Sequence, residues 1–207
     1  MNSLDRRQLL RSGAALGTLT LIAGHAFAAT DMTLLNTAPA LGDMALGDPN
    51  AKVTLVEYAS ASCPHCAKFA IDVFPTLKKE YIDTNKIHFI FREFPLNDPA
   101  LAASMIIRSL PKENYFPVTE IVFKTQEKWV PNPLEGLKNI AVQAGLTEDQ
   151  FNKILKDNDL AKKIIAVRSQ GEKLGVNGTP TFFLNGEVLD GEQKIEDLRA
   201  KIDPLLK

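Results

Sequence analysis

The chain has 207 residues, of which 45% are hydrophobic and 24% charged, and its formal net charge is −1. This balance fits one globular domain, or one domain with an insertion, and it excludes a disordered or collagen-like chain. The chain has only two cysteines, Cys63 and Cys66, too few for a fold that depends on a framework of disulfides.

Residues 1–28 have the composition of a signal for export across a bacterial membrane. Three arginines stand near the start: Arg6, Arg7 and Arg11. They precede a weakly apolar run without acidic residues, 12–28, so we expect cleavage after Ala28 and a periplasmic protein. The segment D-R-R-Q-L-L-R is similar to a twin-arginine signal but departs from it at two positions, which leaves the export route open. An uncleaved membrane anchor is the alternative, although the run is short and rich in glycine.

Without residues 1–28 the chain is mildly acidic. The segment takes away three basic residues and one acidic residue. A nucleic acid is therefore not expected as a partner, because nucleic-acid-binding domains carry basic surfaces.

A strand is the first strong signal after a leader at residues 29–47 and a turn at 48–52. Residues 52–59, K-V-T-L-V-E-Y-A, are largely apolar and β-branched, which is typical of a strand buried on both faces. Residues 87–94, I-H-F-I-F-R-E-F, predict a second such strand. A helical pattern lies between them, so the three elements are predicted to form a βαβ unit.

The helix of this unit begins at or just after Cys63. Pro64 suits its first turn, where the N–H that proline lacks would have no partner in the helix. Four apolar residues share one helical face: Phe69, Val73, Leu77 and Tyr81. Pro75 is expected to kink the same helix further along.

The strand signal disappears from residue 97 to about residue 165, and helical patterns replace it. Five helices are predicted, at 99–110, 116–129, 133–144, 147–156 and 159–174. Thr147 and Gln150 match a capping box at the start of the fourth helix, and the fifth stops at Gly175. We therefore predict a helical insertion at 97–165.

The end of the chain predicts a hairpin and one more helix. Residues 177–191, N-G-T-P-T-F-F-L-N-G-E-V-L-D-G, contain a loop, a strand, a turn and a second strand. Asn185 and Gly186 suit the two-residue type I′ turn between the strands. The final helix places four apolar residues on one face: Ile195, Leu198, Ile202 and Leu205.

Cys63 and Cys66 form the segment C-P-H-C at the junction of the first strand and its helix, which is the signature of a thioredoxin-like redox motif. At a helix N-terminus, free backbone N–H groups and the helix dipole stabilise the Cys63 thiolate. Cys66 lies one turn further on, where it can form a disulfide with Cys63 or resolve a mixed disulfide. Pro64 stiffens the turn, and a protonated His65 adds a positive charge. Because thiolate stabilisation favours the reduced enzyme, the disulfide form is a stronger oxidant, and the motif favours donation of disulfides.

Three other interpretations of the cysteine pair stay open. A structural disulfide at this spacing would close a very small loop, where the gain in chain entropy is least. A zinc site would need two more ligands, and the histidines after the signal are only His65 and His88. Binding without redox chemistry is the third. We expect redox use, with neither a metal nor a cofactor.

These segments together resemble the DsbA family of periplasmic thiol–disulfide oxidoreductases over nearly all the chain after the signal. V-E-Y-A-S-A-S-C-P-H-C at 56–66 is similar to the family's strand and active site, and G-T-P-T-F-F-L-N-G at 178–186 to the loop and strand that face it. The long helical block is similar to the family's insertion. The resemblance implies an α/β thioredoxin-like fold, a central sheet flanked by helices, with an inserted all-helical subdomain. It divides the chain into a thioredoxin-like domain in two parts, 29–96 and 166–207, and the insertion at 97–165.

The resemblance also implies a role for each site residue. Cys63 would be the exposed nucleophile and Cys66 the buried resolving thiol. Pro180 would be the cis-proline opposite them, and the backbone of Thr179 would bind an extended substrate peptide by strand addition. Glu57 matches a buried acid of the family that handles the proton of the resolving cysteine. The alternative for Glu57 is a surface residue near the end of a strand.

The function implied is oxidation of reduced, newly exported proteins through a mixed disulfide, with a membrane quinone-linked oxidase that resembles DsbB restoring the disulfide. One residue departs from the enterobacterial oxidases, which have Val where this chain has Thr179. Thiol isomerases and some alphaproteobacterial DsbA-like proteins have Thr, so a reductase or isomerase kept reduced by a membrane electron donor stays open. A peptide-binding chaperone without redox chemistry also stays open. Only about 24 residues separate Ala28 from the first strand, too few for the dimerisation domain of classical disulfide isomerases, so a monomer is expected.

Overall fold

The computed structural model describes residues 30–207, and the predicted signal at 1–28 lies outside the described residues. Five strands form the central sheet: β1 (Met44–Gly47), β2 (Val53–Ala59), β3 (Ile87–Glu93), β4 (Thr181–Leu184) and β5 (Glu187–Asp190). Their order is β1-β3-β2-β4-β5, with β2 and β3 parallel and the other neighbours antiparallel. The predicted α/β class and the βαβ unit are confirmed.

The strands β2 and β3 lie inside the sheet, and most of their side chains on both faces are apolar and buried. Six of the seven residues in each strand are buried. A large apolar cluster covers one face of the sheet, and a smaller cluster around Val56, Tyr58 and Phe183 covers the other. The carboxyl end of β2, from which the chain continues to the cysteines, therefore lies within the protein.

The segment at 29–47, predicted as a plain leader, contains a short helix, α1 (Met32–Asn36), and the edge strand β1. The strand β1 pairs with β3 from Met44 opposite Phe91 to Gly47 opposite His88. A Cβ at Gly47, whose φ is +83°, would lie 2.2 Å from the Ile87 carbonyl oxygen, so this close pairing requires glycine. Four residues are too short for a clear alternation, and the partner strand decides their conformation.

The helix after β2 contains two π-helical turns, one inside it and one at its end. It consists of α2 (Pro64–Lys68), a π-helical turn at Phe69–Val73, α3 (Phe74–Leu77) and a second π-helical turn at Lys78–Ile82. The first π-helical turn comes immediately before the turn that contains Pro75, which has no N–H to donate to the preceding turn. The irregularity predicted at Pro75 is therefore absorbed by a wider turn on its N-terminal side.

Six α-helices follow β3: α4 (Asp98–Arg108), α5 (Tyr115–Lys124), α6 (Gln126–Trp129), α7 (Pro133–Gln143), α8 (Glu148–Ile154) and α9 (Asn158–Lys173). The single helix predicted at 116–129 is wrong, because Thr125 has non-helical angles and separates α5 from α6. Thr147 and Gln150 form the predicted capping box. The helix α9 runs without interruption through residue 165, so one helix belongs to both sides of the predicted domain boundary. The division into domains stays a prediction.

The predicted hairpin is confirmed. Asn185 and Gly186 have φ values of +47° and +93°, as a type I′ turn between β4 and β5 requires. The last helix is α10 (Ile195–Leu205), which buries Leu198 and Ile202. The placement of Leu205 on the same face is wrong, because it is 42% exposed and Leu206, four residues after Ile202, contacts the core instead. None of the helices within residues 30–207 is long and apolar enough to cross a membrane.

Candidate active site

The cysteine pair lies where β2 leaves the sheet and the next helix begins. The Cys63 N–H donates to the Ser60 carbonyl at 3.0 Å, which closes the turn between the two elements. Cys63 has extended angles and occupies the N-cap position of α2, and Pro64 is the first residue of the helix. The backbone N–H groups of His65 and Cys66 therefore have no partner within the helix and face the Cys63 sulfur.

Cys63 and Cys66 are free thiols with opposite tendencies to ionise. The pKa of Cys63 falls from its ordinary 9.0 to about 5, first because the Cys66 thiol donates a hydrogen bond to it. Thr179 and the backbone N–H groups of Cys66 and His65 lower the pKa further, against the effect of burial. Burial, the bond to Cys63 and the charge of Glu57 raise the pKa of Cys66. The first cysteine therefore carries the negative charge and the second keeps its proton.

The prediction that Cys63 is exposed is wrong, since only 6% of its surface is accessible. The Cys63 thiol donates to the Thr179 carbonyl oxygen at 3.2 Å, so the loop that contains Thr179 covers the sulfur. Cys66 is 0% exposed. Cys63 is thus the more accessible of the two cysteines.

Thr179 and Pro180 face the cysteines from the loop that precedes β4. The peptide bond between them is cis. The Thr179 hydroxyl oxygen is buried and, within residues 30–207, makes no hydrogen bond while Cys63 is a thiol. A thiolate would supply the missing acceptor, and this hydroxyl is among the groups that lower the Cys63 pKa. The resemblance to the DsbA family predicts that this loop faces the cysteines, but it does not predict the unpartnered hydroxyl.

Glu57 lies inside the protein and not at its surface, with 3% of its area exposed. It stands on β2 between Phe91 of β3 and Phe182 of β4 in the register of the sheet. Burial, and then the negative charge of Cys63, raise the Glu57 pKa from 4.5 to about 8. A narrow apolar cavity adjoins the carboxyl group, and several aromatic side chains line it: Phe69, Phe74, Phe89, Phe116 and Phe123. Glu57 therefore holds a proton at neutral pH and is electrostatically coupled to both cysteines.

His65 is exposed on α2, and its ring contacts a residue that the sequence did not single out. The His65 Nδ1 atom pairs with the Glu192 carboxylate, which lies after β5. The pKa of His65 is raised, first by this hydrogen bond and also by the charges of Glu192 and Cys63. No sequence signal marks Glu192, because it is an ordinary surface acid 127 residues further along the chain.

Gln126 is a second site residue that the sequence did not reveal. Its side-chain amide is buried and donates to the Ala61 carbonyl at 2.8 Å and to the Cys63 carbonyl at 3.0 Å. Gln126 belongs to α6, so the helical block is joined directly to the backbone of the cysteine loop. A lone glutamine in a helical pattern carries no recognisable motif.

Metal ligands are not grouped in the part of the chain that the structure describes. No cluster of three or more His, Cys, Asp or Glu side chains there could hold an ion. His88, the second histidine considered for a zinc site, lies on β3, where burial lowers its pKa.

Comparison with known proteins finds relatives over most of the chain. A family model described as Thioredoxin matches residues 40–204. A Rickettsia bellii protein named for protein-disulfide oxidoreductase activity is 38% identical over 169 residues, which cover 80% of this chain and 65% of that protein. Disulfide bond formation protein D of Bacillus subtilis is 26% identical over 184 residues, covering 80% of this chain and 78% of that protein. This chain spans 60% to 65% of the length of the five Rickettsia relatives that it matches.

Solved structures agree with these relatives. The crystal structure of alpha-DsbA1 from Wolbachia pipientis shares 34% of its sequence with this chain at a TM-score of 0.77, covering 84% of this chain and 95% of that one. BdbD from Bacillus subtilis is 22% identical with a TM-score of 0.69, a similarity of fold. The fold and the sequence thus lead to the same group of proteins.

Proposed function

Because the chain belongs to the DsbA family of the thioredoxin superfamily, we propose that it is a thiol–disulfide oxidoreductase that donates a Cys63–Cys66 disulfide to reduced proteins. The observation that carries the proposal is the inequality of the two thiols. The pKa of Cys63 is lowered to about 5, whereas burial and its neighbours raise the pKa of Cys66. A stabilised thiolate favours the reduced pair, so the disulfide form gives up its bond readily.

The size of this effect follows from the Cys63 pKa. Near pH 7, lowering a thiol pKa from 9.0 to about 5 stabilises the reduced form by about a hundredfold. For a two-electron couple, a tenfold change corresponds to about 30 mV, so this thiolate alone makes the couple more oxidising by about 60 mV. The direction of the shift is toward oxidation of substrates.

The reaction proceeds in two exchanges. A substrate thiolate attacks the Cys63 sulfur, the bond to Cys66 breaks, and Cys66 leaves with the electron pair and takes a proton from Glu57. A second substrate thiolate then attacks the substrate sulfur of the mixed disulfide, and Cys63 leaves as the stabilised thiolate. The substrate dithiol loses two electrons and becomes a disulfide, and the enzyme disulfide gains them and becomes the dithiol.

The substrate is held beside the cysteines by the loop at Thr179 and Pro180. An extended peptide would pair with the Thr179 backbone, as in other forms of strand addition. The proposed clients are newly exported proteins with reduced cysteines, in the periplasm. A membrane quinone-linked oxidase resembling DsbB would accept the two electrons and restore the disulfide. The protein would act as a monomer.

One observation favours a second candidate, in which the protein reduces or rearranges disulfides. Thr179 places a buried hydroxyl beside the cysteines, and this donor stabilises the reduced pair. Because the same stabilisation makes the pair a weaker reductant, this candidate needs a membrane electron donor that keeps the pair reduced, so that the Cys63 thiolate can attack wrong disulfides. Recovery of scrambled ribonuclease by the reduced protein, with poor oxidation of reduced ribonuclease by the disulfide form, would favour this candidate.

The deciding experiment is the redox equilibrium of the full chain with glutathione, together with the pH dependence of Cys63 alkylation. We expect a potential well above the value of about −270 mV of thioredoxin and half-maximal alkylation near pH 5. A thioredoxin-like potential would refute the proposed direction. The variants Cys63→Ser and Cys66→Ser serve as controls, because only the first should abolish the rapid alkylation.

The double variant Cys63→Ser with Cys66→Ser separates the redox function from a chaperone function. Peptide binding near Pro180 does not need the sulfur atoms, so a chaperone would keep its activity in suppressing aggregation of an unfolded protein. We expect the variant to lose all oxidation of reduced ribonuclease. Oxidation that persists without both cysteines would contradict the proposed chemistry.

A further inference from the structure

The contact between His65 and Glu192 joins α2 to the segment between β5 and α10. Glu192 lies directly after Gly191, whose N–H donates to the Pro180 carbonyl at 2.9 Å. This bond fixes the start of the segment to the loop that faces the cysteines. The Glu192 carboxylate therefore approaches His65 from a backbone that is itself anchored beside the reactive centre.

The charged groups around this contact alternate in sign. Glu192 contacts the His65 ring, and the charges of both Glu192 and Cys63 act on it. Lys68 lies one turn further along α2, and its ammonium group pairs with Asp72 at 2.8 Å. This pair raises the pKa of Lys68, and the charge of Glu192 also raises it. The charges of Glu192 and, to a smaller extent, Cys63 raise the pKa of His65. The state of the imidazole thus depends mainly on these two neighbours.

We propose that Glu192 is a positioning residue for the reactive centre: it binds the His65 imidazole on the helix that begins at Cys63 and favours the positively charged form of the ring. The proposal rests on the proposed function, because it concerns the stability of the reduced pair. An ordinary imidazole is largely neutral at pH 7, and a carboxylate partner favours its charged form. The imidazolium then stabilises the Cys63 thiolate, which makes the disulfide form more oxidising.

Glu192 also has an opposite effect, because its own negative charge repels the Cys63 thiolate. Below the ordinary imidazole pKa, His65 is protonated with or without Glu192, and only this repulsion remains. Near neutral pH, Glu192 increases the fraction of His65 that carries the positive charge. Removal of the carboxylate should therefore make the couple less oxidising near pH 7 but not near pH 5.5.

The variant Glu192→Gln tests this dependence, because it keeps the shape of the side chain and removes its charge. We expect the pKa of His65, followed by NMR of its ring protons in the full reduced chain, to fall. Near pH 7 the equilibrium with glutathione should shift about two- to fivefold toward a less oxidising couple, as expected for an exposed ion pair. Near pH 5.5 the variant couple should be as oxidising as the wild type or slightly more so. Glu192→Asp keeps the carboxylate and should restore most of the effect.

The matched control is Glu187→Gln, which removes the same charge five residues earlier, on β5, where Glu187 pairs with Lys201 and not with His65. It should leave the His65 titration and the glutathione equilibrium unchanged. A Glu192→Gln variant with an unaltered His65 pKa would overturn the inference. An equal loss of oxidising power at both pH values would also overturn it, because that result indicates a general structural change.

The failure of the inference and the failure of the proposed function can be distinguished. The His65 titration needs neither substrate nor turnover. A normal response of His65 in a protein that does not oxidise dithiols would refute the proposed function and leave the ion pair intact. If the protein oxidises dithiols but the pKa of His65 does not change in Glu192→Gln, only the role of Glu192 is refuted.

Discussion

Glu57 offers a test that depends on stability alone. Its carboxyl group titrates at about 8 in the folded reduced protein, against an ordinary 4.5, so between these pH values the folded chain binds more protons than the unfolded chain. Stability therefore falls as the pH rises through this window. The Glu57→Gln substitution removes the titrating group and should abolish this loss.

The magnitude follows from the width of the window. For each pH unit between 4.5 and about 8, the free energy of unfolding of the wild type falls by about 1.4 kcal/mol relative to that of a protein without this titrating group. Between pH 4.5 and 7 the cost reaches about 3 kcal/mol. We therefore expect the free energy of unfolding of Glu57→Gln, minus that of the wild type, to increase by about 3 kcal/mol from pH 4.5 to pH 7. Urea denaturation of the reduced proteins measures both values.

The control for this measurement is Glu120→Gln. Glu120 lines the same cavity but stands at the surface of α5, where it pairs with Lys124. The free energy of unfolding of Glu120→Gln should stay within about 0.5 kcal/mol of the wild-type value across the pH range, as for most surface substitutions. Parallel stability curves for Glu57→Gln and the wild type between pH 4.5 and 7 would refute the raised pKa and, with it, the role of Glu57 as the proton donor of the reaction.

Three further predictions concern the cysteine loop. Gln126→Ala leaves the Ala61 and Cys63 carbonyls without their side-chain donor and should lower the free energy of unfolding, measured by urea denaturation, by about 1–3 kcal/mol. A decrease below about 0.3 kcal/mol would show that these hydrogen bonds do not stabilise the protein. Thr179→Val removes a hydroxyl that can donate to the thiolate, so the pKa of Cys63 measured by alkylation should rise; a fall in this pKa would contradict the assignment. Cys63→Ser removes the negative charge that helps to raise the pKa of Glu57, so that pKa, followed by infrared or NMR titration, should fall, and an unchanged value would leave burial as its only cause.

The parts of the fold that the sequence predicts are those with strong local patterns. The strands β2 and β3 are largely apolar runs, and the apolar residues of the long helices recur with the period of an α-helix. The turn at Asn185 and Gly186 is predicted by residues that tolerate positive φ. Two elements were missed because they lack such a pattern: Thr125 divides a helix without a proline or glycine to mark the break, and β1 depends on its pairing with β3.

The site divides in the same way. The spacing of Cys63 and Cys66 at a strand-to-helix junction determines by itself that the two sulfurs can meet and that the first lies at a helix N-terminus, because both facts follow from local geometry. The ionisation of the pair was decided by the tertiary structure. Burial raises the pKa of Cys66 and of Glu57, and burial is a property of the whole packed protein.

Long-range contacts account for what the sequence could not reveal. Gln126 reaches the cysteine loop from the helical block, and Glu192 reaches His65 from the segment after β5. Neither residue has a neighbour in the chain that indicates its role. The sequence by itself determined that two cysteines stand at a strand-to-helix junction of an α/β fold. Only the tertiary structure decided which groups surround that pair, because charges and hydrogen bonds act through distances in space and not through separation along the chain.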